Sequence, residues 1–150
     1  MVSYVKRRKE KVKNTVNNEQ IDLIRHSLLR IHPIADQIAK SFYAHLFEIR
    51  PPLRKLFTGD MNRQGTMLMT SLELAVSSLG NPASILSAVE ALGERHVSYG
   101  VKAEYYPLAK ESYLWALEKH LGDEFTPAVK EAWASAFEAL IQTMSQVAKS

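Results

Sequence analysis

Apolar residues along this chain recur every three or four positions and do not settle into an alternating pattern. That spacing marks helices burying one face. Ile21, Ile24, Leu28 and Ile31 form the first stripe, and Asn17 or Asn18 stands ahead of it, where a side-chain oxygen can cap free N–H groups. Pro33 stops that helix and can sit in the first turn of the next, where a missing N–H is harmless. The second helix carries Ile34, Ile38, Phe42 and Leu46 and ends before Pro51 and Pro52. A short turn through Phe57 leads to Thr58, Gly59, Asp60 and Asn62, a loop by composition. From about Gln64 a third helix shows Leu68, Leu72, Val76 and Leu79, closed by Gly80, Asn81 and Pro82. A fourth carries Ile85, Val89, Leu92 and His96. A fifth runs from about Glu104 to Leu121, with Pro107 in its first turn and Gly122 at its end. Thr126 then caps, Pro127 starts, and Val129, Trp133, Phe137, Leu140 and Met144 line the last helix. There is no internal repeat. The pattern predicts an all-α fold.

His96 is the residue around which chemistry can be organised. Stepping back along its helix gives Leu92, Val89 and Ile85, so the imidazole ends an apolar stripe just before a break at Gly100. Such a histidine either holds a metal through one ring nitrogen or is a core residue satisfied by a backbone carbonyl. The stripe alone favours the second reading. What faces it shifts the balance. Tyr43 lies among Ala39, Phe42, Leu46 and Phe47, so its hydroxyl needs a partner in apolar surroundings. Gln64 and Leu68 share one helical face, and Phe57 closes the turn after the two prolines. A tyrosine, a glutamine, a leucine and a phenylalanine opposite a lone histidine suit a flat apolar cofactor ligated on one side. Taken singly, Tyr43 reads equally as core and Gln64 as surface.

Composition narrows the classes. A chain of 150 residues with 46% hydrophobic content fits one domain with an ample core. The absence of cysteine excludes disulfides, thiolate zinc sites and iron–sulfur clusters. No apolar run reaches membrane-spanning length and the N-terminus lacks the apolar core of a signal peptide, so a soluble cytoplasmic protein is expected. The net charge of +3 is unevenly placed: residues 1–13 hold six Lys/Arg against one Glu, leaving 13 against 15 in the remainder. Residues 1–16 are therefore read as a basic extension and residues 17–150 as the folded domain. The extension could touch anionic lipid, but a solvated tail is the plainer reading, and nucleic acid is not an expected partner.

The blocks SFYAHLFEIRPPLRKLF, Gln64 seven residues after Phe57 with Leu68 following, LGERH, VKAEYYPL and Ala132–Trp133 occur in an order that resembles the globin family. The likeness is to single-domain bacterial haemoglobins and the globin part of flavohaemoglobins, over about residues 18–147. It implies a globin fold of about seven to eight helices around a haem b, with His96 as the proximal iron ligand. By the same resemblance Phe57 packs on the porphyrin, and Tyr43, Gln64 and Leu68 line the distal side. Leu92, Val101 and Tyr106 become proximal or edge contacts, and Arg95 could meet a propionate or be solvated. The implied function is reversible binding of dioxygen, and of NO and CO, at a five-coordinate ferrous haem with slow release. Flavohaemoglobins carry a glutamate on the last helix that, with the tyrosine at Tyr106, hydrogen-bonds the proximal histidine. Here that position is Ala148, which weakens peroxidase-like chemistry and leaves the Leu92 carbonyl as the expected Nδ1 acceptor. An NO dioxygenase using an external reductase, a gas sensor, and a haem-free interaction module are the alternatives. A monomer or a homodimer fits equally.

Overall fold

The computed structural model describes residues 16–77, 79 and 81–149. The basic run at residues 1–13, Gly80, and the side chains of Ile85 and Ala148 lie outside the described part. Among the described residues six α-helices follow one another: α1 (Asn18–Ile31), α2 (Ala35–Ile49), α3 (Met61–Ser77), α4 (Pro82–Ser98), α5 (Tyr106–Leu121) and α6 (Pro127–Lys149). Four short 3₁₀ turns, His32–Ile34, Pro51–Leu56, Ala103–Tyr105 and Gly122–Glu124, lie between them, and the six helices compare with the seven to eight expected. Among the described residues there is no strand, and no helix is long and apolar enough to cross a membrane.

Local chemistry explains the boundaries. Asn17 Oδ1 accepts from the Gln20 N–H at 2.8 Å and Gln20 Oε1 accepts from the Asn17 N–H at 3.2 Å, a reciprocal cap that opens α1. Pro33 sits inside the 3₁₀ turn His32–Ile34 rather than in α2, so the two helices are separated by a tightened turn. At α3 the loop ends earlier than composition suggested. Asp60 Oδ1 accepts from the Asn62 N–H at 2.9 Å, which pulls Asn62 into the helix. Gly122, at φ +55° and ψ −125°, takes a backbone conformation open to glycine and rarely to other residues, and α5 stops there. Thr126 Oγ1 caps α6 from the Val129 N–H at 3.2 Å.

Packing divides the interior into two apolar clusters. The larger gathers Ile21, Ile24, Ile31, Ile38, Phe42, Tyr43, Leu46, Leu72, Val76, Tyr113, Trp133 and Phe137 among others, with α2 laid on α5 and α3, and α1 on α6. Trp133 is fully buried at its centre, and its indole N–H donates to Ser27 Oγ at 2.9 Å while the Ser27 hydroxyl donates to the Ile24 carbonyl at 2.7 Å. An indole can be buried whole because that polar atom is paired. The smaller cluster consists of Val89, Tyr106 and Met144, with Leu92, Val101 and Ala103 around them. Leu140 and Ile141 of α6 touch both. Although α3 and α4 are consecutive, they are held by different neighbours: α3 by α2 and α1, α4 by α6.

Candidate functional site

His96 sits near the end of α4, and the way that helix stops fixes its backbone. The Val101 N–H donates to the His96 carbonyl at 2.9 Å and the Gly100 N–H donates to the Val97 carbonyl at 3.0 Å. Gly100 has φ +88°, so the turn needs a residue without a Cβ at that point. The side chain is held as well. His96 Nδ1 lies 2.7 Å from the Leu92 carbonyl. A carbonyl can only accept, so Nδ1 carries the proton and Nε2 keeps its lone pair. Burial pushes the imidazole below its ordinary pKa, the Leu92 carbonyl partly opposes that, and the Arg95 charge adds to it. The ring is therefore a neutral donor at Nε2.

The helix that bears it lies unusually close to α6. A Cβ at Gly93 would stand 3.1 Å from the Met144 Cα and 3.3 Å from its carbonyl oxygen. Those are backbone atoms, so only glycine allows this approach without shifting a helix. Leu92, Val101 and Tyr106 belong to the same small cluster. The Tyr106 ring is 6.2 Å from the imidazole, centre to centre, and its hydroxyl is buried without a partner among the described residues. Arg95 is exposed on the outer side of α4.

Tyr43, Phe57 and Leu68 belong to the other cluster. The Tyr43 ring meets Phe42 edge-on at 5.0 Å, Phe57 edge-on at 5.2 Å, and Phe47 in a stack at 5.9 Å. Burial raises the Tyr43 pKa to about 12. At neutral pH the phenol thus keeps its proton and is a hydrogen-bond donor, and the phenolate that could ligate a cation is disfavoured. Gln64 is half-buried, and its Nε2 lies 4.0 Å from where a Cβ on Gly59 would stand, so the amide lies beside the loop before α3.

The structure thus places Tyr43, Phe57 and Leu68 on one cluster and Leu92, Val101 and Tyr106 on the other, with Gln64, His96 and Arg95 in neither. Phe57 and Leu68 are only partly buried on one side, as are Leu92 and Val101 on the other. Among the described residues no set of three or more His, Cys, Asp and Glu converges. A metal ion held by several protein side chains therefore has no support there, whereas one imidazole lone pair fits an ion whose other donors arrive with a macrocycle. One residue escaped the sequence reading. Gly93 becomes meaningful only once α6 is placed against it.

The Globin family model matches residues 40–144. A flavohemoprotein of Halalkalibacterium halodurans is 29% identical over 138 residues, covering 90% of this chain and 34% of that protein. The chain thus spans about a third of that relative's length. Among solved structures, an engineered carbene transferase derived from RmaNOD, a candidate nitric oxide dioxygenase of Rhodothermus marinus, superposes with a TM-score of 0.81. It is 27% identical, over 89% of this chain and 94% of that one. A bacterial globin from Campylobacter jejuni superposes with a TM-score of 0.78 at 23% identity, over 89% and 96% of the two chains.

Proposed function

This chain belongs to the globin family, and we propose from that premise that it holds a haem b between α3 and α4 and binds diatomic gases there, dioxygen foremost. The observation that carries the reading is the His96–Leu92 hydrogen bond, which leaves an uncharged Nε2 lone pair on a half-buried imidazole beside Tyr106 of the small cluster. When bound, a haem supplies a ferrous iron with one coordination position open to a gas. The protein's own part is to orient and to exclude water. His96 would hold the iron through Nε2. Leu92, Val101 and Tyr106 would support the proximal face, with Phe57 and Leu68 packing from the other side. Arg95, exposed one residue before His96, would be the side chain to meet an acidic edge group.

On the distal side the Tyr43 hydroxyl, kept protonated by burial, would donate to the gas, and the Gln64 amide could join it by swinging in from the Gly59 loop. Each neutral hydrogen bond of this kind contributes about 0.5–1.5 kcal/mol, so the pair would slow dioxygen release by one to two decades. The Nδ1 partner is a backbone carbonyl rather than a carboxylate, which leaves the imidazole neutral and favours reversible binding over peroxidase-like chemistry.

A second reading draws on the solved relative described as a candidate nitric oxide dioxygenase. The same Tyr43 donor would serve conversion of NO and dioxygen to nitrate, with the electron coming from a separate reductase. Absorption spectra of the purified protein as isolated, reduced, and reduced under carbon monoxide test the first reading. A Soret band that shifts under carbon monoxide is expected, and a protein that takes up no hemin ends both readings. Mixing the dioxygen-loaded protein with NO then separates them. Stoichiometric nitrate with turnover under a reductase supports the enzyme, and a single slow event supports the carrier.

A further inference from the structure

Resting on the gas-binding reading above, we propose that the corner between α2 and α3 docks the acidic face of an electron-donor protein, through Arg50, Arg54, Lys55 and Arg63. Charge is unevenly spread along the chain. Residues 50–63 hold four Lys/Arg against one acid, Asp60, whereas residues 14–49 and 64–150 together hold nine Lys/Arg against 14 Asp/Glu. The corner is a basic spot on an otherwise acidic domain. All four cations are exposed, and among the described residues none of them is in an ion pair. The one acid is turned to its own chain, where Asp60 Oδ1 accepts from the Asn62 N–H at 2.9 Å.

Rigidity and position suit such a contact. Pro51 and Pro52 open the 3₁₀ turn Pro51–Leu56, and buried Leu53 anchors it in the large cluster. Arg54 and Lys55 are therefore presented from a backbone that loses little freedom on docking. The Arg54 guanidinium carbon lies 5.6 Å from the centre of the Phe47 ring. Phe47 in turn stacks on Tyr43 at 5.9 Å and meets Phe57 edge-on at 5.4 Å. One ring thus separates a surface cation from two residues assigned above to the gas site. A donor is required there, because dioxygen binds the ferrous state and a ferric haem must first be reduced. The step is a single electron: a reduced iron–sulfur or flavin protein loses one, ferric iron becomes ferrous, and no bond or proton changes place. Cations facing the donor's carboxylates would steer that encounter and fix its orientation.

The test uses the haem-loaded full chain, an acidic two-iron ferredoxin as donor, and three charge-reversed double variants. Two alter the corner, Arg54→Glu with Lys55→Glu and Arg50→Glu with Arg63→Glu. The control, Lys40→Glu with Lys130→Glu, changes net charge equally at two exposed lysines elsewhere. The readouts are calorimetric binding of oxidised ferredoxin and the second-order rate at which reduced ferredoxin converts the ferric protein to its ferrous carbon monoxide complex. At roughly 10 mM ionic strength, where the screening length is about 30 Å, each corner variant should bind and be reduced about tenfold less well than the control. Added salt should erase the difference. A control that loses as much as the corner variants overturns the surface, since net charge alone then acts. Corner variants that lose affinity for phosphatidylserine vesicles but bind ferredoxin unchanged also overturn it, in favour of a lipid. Should Arg54→Glu with Lys55→Glu disturb the ring contact and fail to fold, the Arg50 and Arg63 pair decides. A chain that takes up no hemin sinks the gas-binding reading, whereas ferredoxin binding, measured without haem, still decides the surface.

Discussion

The two apolar clusters of this protein are built on different principles. The one around Tyr43 is broad and aromatic, with Phe42, Tyr113, Phe137 and Trp133 in successive ring contacts across α2, α5 and α6. The one under His96 has three buried members among the described residues and is held by close backbone approach at Gly93 and by a glycine turn at Gly100. The first derives its rigidity from area, because aromatic rings bury much surface and interlock. The second derives it from the fit of main chain to main chain. One tolerates polar tuning at its edge; the other fixes the position of a single imidazole.

Variants can push on that contrast, beginning with the most disruptive. His96→Ala removes the proposed iron ligand and is expected to abolish the Soret band while leaving the far-ultraviolet helical signal. Retention of a normal five-coordinate ferrous spectrum would refute the assignment. Phe42→Ala takes out the ring shared by Tyr43 and Tyr113 and should cost about 3–5 kcal/mol in chemical denaturation. A cost near zero would mean that the aromatic cluster contributes little. Gly93→Ala must displace either α4 or α6 and should cost about 1–3 kcal/mol, as overpacking does. Unlike Phe42→Ala it should also shift the iron–histidine stretching band; an unchanged band would show that close approach does not set the imidazole. Tyr106→Phe removes a buried hydroxyl that has no partner among the described residues and is expected to stabilise the protein by about 1 kcal/mol. Destabilisation would reveal a partner for that oxygen.

The contrast also decides what could be read in advance. The helices around the aromatic cluster were legible because their buried residues, Ile24, Ile31, Ile38, Phe42, Val76 and Trp133, obey the 3.6-residue period. The start of α3 was misplaced because Asp60 and Asn62 look like loop residues until the Asp60 side chain is seen to receive the Asn62 N–H. Pro33 was expected in α2 and lies in a 3₁₀ turn, since removing one N–H can tighten a chain as well as start a helix. At the site, the Leu92 carbonyl was foreseeable as a partner one turn behind His96 on its own helix. Gly93 was not, because its significance lies in atoms supplied by another helix. Spacing within one helix reports which face a residue occupies. It is silent on which neighbour that face meets.

The Trp133–Ser27 hydrogen bond joins residues 106 positions apart and seats the last helix against the first. During synthesis α1 therefore leaves the ribosome long before its buried side has anything to rest on. Ile24 and Ser27 must wait for the indole, and most of the domain is already translated when it arrives. Final closure should thus be a late, long-range step, and a chain stalled before Trp133 would expose an apolar face that invites chaperone binding.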